Sequence, residues 1–89
     1  MRIDLSNIQN ETVLHEQLAA RLGFPNFYGK NWDAFWDSIT GLVELPAQIK
    51  FTGTDSFKAN LPASYIQLHK CFEDLMNEYP EIKCGVSWE

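Results

Sequence analysis

The chain has 89 residues, 45% of them apolar and 21% charged, a composition that suits one folded domain and excludes a disordered tail. Twelve acidic against seven basic side chains leave a net charge of −5. That balance argues against sequence-independent binding to nucleic acid or to an anionic membrane, since both need lysine and arginine.

Met1–Leu5 alternates Ile3 and Leu5 with Arg2 and Asp4 and reads as a first strand. Asn10 or Thr12 can cap a helix with apolar positions Val13, Leu14, Leu18 and Leu22, which Gly23 ends and Pro25 keeps from continuing. Asn26–Lys30 reads as a loop carrying two aromatics, Phe27 and Tyr28. Asn31 is a natural cap for a helix over 32–40, closed by Gly41, with Asp33 in its first turn. Ala47–Phe51 reads as a second strand. Residues 52–62 look irregular, with one helical turn near 55–59. A last helix is expected over 63–79, with Tyr65, Leu68, Phe72, Leu75, Met76 and Tyr79 as its apolar stripe. Pro80 stops it, and Ile82, Cys84, Val86 and Trp88 alternate as a closing strand. Strands separated by helices connect through crossovers, so the expected fold class is α/β, a three-stranded parallel sheet packed against helices.

The 32–40 segment carries the most information. At helical spacing, Trp32, Phe35 and Ile39 gather on one side, Asp33, Asp37 and Thr40 on another, and Trp36 lies between them. Two carboxylates four residues apart repel, and no basic residue lies within the helix to relieve them. That pattern suits a rigid acidic face that accepts arginine or lysine from a partner, with Phe27 and Tyr28 as a wall of the same patch. An ordinary solvated acidic face beside a core tryptophan accounts for the pattern equally well. Glu73, Asp74, Asn77 and Glu78 give the last helix a second acidic side.

Catalytic chemistry finds little support. Asp33 and Asp37 could in principle act as a paired acid and base, but they sit on a convex helix face with no sign of a cleft. No nucleophile–histidine set, phosphate loop or zinc spacing is present, so neither a metal nor a cofactor is expected. His15 reads as one of the solvent-facing residues of its helix and His69 as a neighbour of an apolar stripe. Both are taken as structural. Cys71 and Cys84 are too few for a disulfide framework and read as small buried residues in a reducing compartment. No run of about 20 apolar residues could span a bilayer, and no charged-then-apolar leader opens the chain, so a cytoplasmic location is expected.

From Phe24 to Pro46 the sequence FPNFYGKNWDAFWDSITGLVELP resembles the signature of the barstar family, small intracellular inhibitors of barnase-type ribonucleases. Pro25, Phe27, Tyr28, Gly29, Asn31, Asp33, Trp36, Asp37, Thr40, Gly41, Glu44 and Pro46 match its positions. The resemblance implies that residues 1–89 form a single barstar-like domain acting as an immunity protein or antitoxin. It implies a basic ribonuclease as partner in a one-to-one complex, and a monomer when free. Asp37 would enter the phosphate site of the enzyme, and Asp33 would pair nearby. Phe27 and Tyr28 would cover a catalytic histidine, with Trp36 and Thr40 flanking and Asp74 and Glu78 contacting from the last helix. Gly29 and Asn31 would set the loop backbone. Phe27 stands where the best-known member has tyrosine, Ser38 where it has cysteine and Leu42 where it has tryptophan. The loss of that hydroxyl and that contact surface leaves room for a different toxin, or for a basic partner that is not a nuclease.

Overall fold

The computed structural model describes residues 1–89. Its elements are β1 (Arg2–Asp4), α1 (Glu11–Leu22), α2 (Trp32–Asp37), a π-helical turn (Ser38–Leu42), β2 (Gln48–Thr52), α3 (Thr54–Asn60), α4 (Pro62–Glu78) and β3 (Gly85–Trp88). The sheet order is β1-β2-β3 and both pairings are parallel, with Ile3 opposite Phe51 and Phe51 opposite Trp88. Ile49 and Phe51 are buried while Gln48 is exposed and Lys50 and Thr52 are half-buried, so the helices load one face of the sheet. The α/β expectation therefore holds.

Local chemistry explains the element ends. Asn10, not Thr12, caps α1 by accepting from the Val13 N–H at 2.9 Å, and Gly23 closes the helix in the left-handed region. Pro62 opens α4 at a position whose N–H has no helical partner. β1 is an edge strand, and its outward carbonyls do not face water alone. Arg21 Nη2 donates to the Arg2 carbonyl and Gln17 Nε2 to the Asp4 carbonyl, each at 2.7 Å.

Several expectations need correction. Val13 is 42% exposed and its place is taken by His15, which is fully buried. His15 lies three residues before Leu18 and seven before Leu22, which puts the imidazole and not Val13 on the inward stripe. In α4, Met76 is 59% exposed and Tyr79 lies at the surface past the helix end, while Ser64 and Cys71 fill buried positions. Residues 54–60 form a regular helix where an irregular stretch was expected, and Ile82 and Cys84 precede β3.

Gly53 joins β2 to α3 with φ +68, and a Cβ there would lie 2.5 Å from Ser6 Cβ and 2.7 Å from Ser6 N. Both the left-handed backbone and the overlap with main chain oppose any larger residue. Gly53→Ala is expected to cost about 2–4 kcal/mol, read as a lower urea midpoint at unchanged slope.

Candidate functional site

The site is built on α2. Asn31 Oδ1 accepts from the Ala34 N–H at 2.7 Å, and Asn31 Nδ2 donates to the Gly29 carbonyl at 3.2 Å. One side chain thus caps the helix and ties down the loop before it. The left-handed residue of that loop is Lys30, φ 52, rather than Gly29. The inward side of α2 is Phe35, fully buried against Phe24, Trp32 and Phe72.

Past Asp37 the helix widens instead of continuing regularly to Thr40. Val43 N–H donates to the Ser38 carbonyl at 3.1 Å, five residues back, and Thr40 Oγ1 donates to the Trp36 carbonyl at 2.7 Å. The Thr40 hydroxyl proton is therefore spent inside the helix, so towards a partner it is an acceptor. Gly41 lies within the π turn, and Val43 ends it in an extended conformation.

Asp33 and Asp37 are exposed. The ion pairs of the fold join Glu11 to His15, Glu16 to Lys30, Glu89 to Lys50, Glu73 to His69 and Asp74 to Lys70. Asp33, Asp37, Glu44 and Glu78 take part in none of them.

Three shallow depressions surround α2. Trp32, Asp33, Trp36, Lys70, Asp74 and Glu78 line the one towards α4. Phe27, Tyr28, Gly29, Asp37, Ser38 and Leu42 line a second on the loop side. Thr40, Leu42 and Glu44 border a third, with Glu81 and Lys83 across it. The acidic sides of α2 and α4 are thus neighbours in space. Asn31 is the one candidate that lines none of the three; its side chain caps α2 and holds the loop.

The two loop aromatics differ in role. Phe27 is 78% exposed, whereas Tyr28 is half-buried against Phe24 and its hydroxyl bonds His15 Nδ1 at 2.5 Å. Burial holds the Tyr28 phenol well above its ordinary value, so it stays a donor. Burial also holds His15 below its ordinary value, against the opposing pull of Glu11. Sequence reasoning missed His15 and also Lys70, whose ammonium sits 2.8 Å from Asp74 Oδ2. Their signals were present: the spacing of His15 to Leu18 and Leu22, and the i,i+4 relation of Lys70 to Asp74.

No group of His, Cys, Asp and Glu is arranged to hold a metal, and both cysteines are free and buried. No helix is long and apolar enough to cross a membrane.

Fold and face together define a class: a small α/β protein with a three-stranded parallel sheet, showing unpaired carboxylates and one bare aromatic ring beside a capped helix. Residues 1–86 match the family described as Barstar (barnase inhibitor). Over 81 residues, covering 86% of this chain and 89% of the relative, the sequence is 33% identical to the protein named "Putative ribonuclease inhibitor YrdF" of Bacillus subtilis (strain 168). The chain belongs to the barstar family, whose members are inhibitors and not enzymes.

Proposed function

We propose that this chain, acting as a single domain, inhibits a basic ribonuclease of barnase type by covering its active site. Asp33, Asp37 and Phe27 form the centre of the contact, with Trp36, Thr40, Leu42, Glu44, Asp74 and Glu78 around them. The observation that carries this reading is the pair of exposed carboxylates on α2, neither of them in an ion pair within the fold, with an exposed phenyl ring on the loop before them. An enzyme that stabilises phosphate charge presents preorganised cations, and a fixed carboxylate binds the same cations. Family membership and the relative's name support the ribonuclease as partner. A one-to-one complex, a monomer when free and a cytoplasmic immunity role follow from the same reading.

The test is a titration of the protein into a barnase-type ribonuclease assay at low and moderate salt. Stoichiometric inhibition is expected. A net charge of −5 facing a basic enzyme should make the association rate fall by tenfold or more, as an order of magnitude, between low and moderate ionic strength. An absence of inhibition at micromolar protein would retire the barnase-type assignment and favour a different basic partner.

A further inference from the structure

Behind the loop aromatics, one buried imidazole joins four pieces of the structure. His15, on α1, meets Tyr28 of the loop through Nδ1 and the Trp32 ring of α2 at 4.5 Å, edge-on. Its Nε2 lies 3.4 Å from Glu11 Oε1, and the other oxygen of Glu11 accepts from the Ser64 hydroxyl of α4 at 3.3 Å. The carboxylate can only accept, so Nε2 carries the proton of the neutral ring and Nδ1 accepts from the Tyr28 O–H. Nothing else in the fold gives the phenol a comparable partner, since the Asn31 carbonyl is 3.4 Å away.

We propose that His15 is a positioning residue for the Phe27–Tyr28 loop of the binding face; the inference rests on the face proposed above. A protonated ring donates from both nitrogens, so on proton uptake the phenol oxygen accepts from Nδ1 and turns its own proton to the Asn31 carbonyl, and the bond reverses its direction. Glu11, on α1, favours the proton, and Lys30 of the loop is turned to Glu16 at 3.6 Å. From α4, Cys71 bears on Tyr28, but burial pushes its thiol up to about 11 and it stays neutral. Burial opposes charging the ring, so uptake falls below the ordinary value of 6.5.

Two measurements need no partner. Imidazolium quenches a neighbouring indole, so tryptophan fluorescence reports His15 through Trp32. A His69→Gln background removes the second histidine–tryptophan stack, His69 on Trp88 at 4.9 Å. Below pH 6.5 the emission should fall in that background and stay flat once His15→Gln is added. Tyr28→Phe should move the midpoint to higher pH, because the donor that favours neutral Nδ1 is gone. Amide exchange over residues 26–30 should quicken in His15→Gln, while Val13→Gly, which weakens the same helix from its exposed side, should leave it unchanged.

With a barnase-type ribonuclease as probe at pH 7.5, His15→Gln should weaken inhibition by about three- to tenfold, the scale of one buried hydrogen bond. A quenching step that persists in His15→Gln, a Tyr28→Phe midpoint that does not move, or loop exchange that tracks overall stability would each overturn the proposal. So would undiminished inhibition by His15→Gln when Phe27→Ala has lost it. If the wild-type protein inhibits no such ribonuclease, the proposed function fails while fluorescence and exchange still decide the role of His15.

Discussion

Asp37→Ala is expected to weaken inhibition of the cognate ribonuclease by about 2–5 kcal/mol, roughly thirtyfold to several thousandfold, mostly through faster dissociation. Asp37 is the one carboxylate in the depression shared by Phe27, Tyr28 and Leu42. A partner cation drawn into that depression loses water on several sides, so removing its counter-charge leaves it buried and unpaired. Asp74→Ala should do less. The Asp74 carboxylate is already engaged by Lys70, and a partner must compete with that ammonium before gaining anything. Stopped-flow association and dissociation rates separate the two cases. An Asp37→Ala protein that inhibits as well as wild type would move the contact elsewhere on the surface.

Phe35→Ala is expected to remove about 3–5 kcal/mol of stability, the usual cost of deleting a buried phenyl ring. Total stabilities of small domains are about 5–15 kcal/mol, so the variant should be marginal at 37 °C. Its ring lies 5.6 Å from Phe24, 5.5 Å from Trp32 and 5.9 Å from Phe72, which ties α2 to the loop and to α4 at once. Inhibition should therefore decline along with the urea midpoint, whereas Phe35→Leu should retain most of both. A large loss of inhibition with an unchanged urea midpoint would contradict this reading of Phe35 as a support.

Much of this was legible in the residues. Alternation in Met1–Leu5 and in the segment closing at Trp88, with helical spacing between, is enough to require parallel crossovers. The Asn31 cap and the Gly23 and Pro80 stops mark where α1 and α4 end and α2 begins. Side-chain phase was less legible. Val13 and His15 flank Leu14, and hydrophobicity favours the valine, yet rotation about the axis buries the histidine. No composition rule reveals that a loop tyrosine waits to bond it. The π turn after Asp37 was equally hidden, because its i→i+5 bond depends on how Ile39 and Val43 seat against the core rather than on a distinctive residue. The acidic face could be read from spacing, and so could the i,i+4 pairing of Lys70 with Asp74, but that this pair lies beside α2 follows only from the packing of the two helices.

The side chains of Gln17 and Arg21 have a consequence for crowding. A strand edge with free carbonyls is a template, and another chain can extend the sheet from it. On β1 the carbonyls of Arg2 and Asp4 are already taken at 2.7 Å. A second molecule arriving there must displace a guanidinium and an amide before it can pair in register. Strand-by-strand growth into a fibril is therefore disfavoured on that side of the fold.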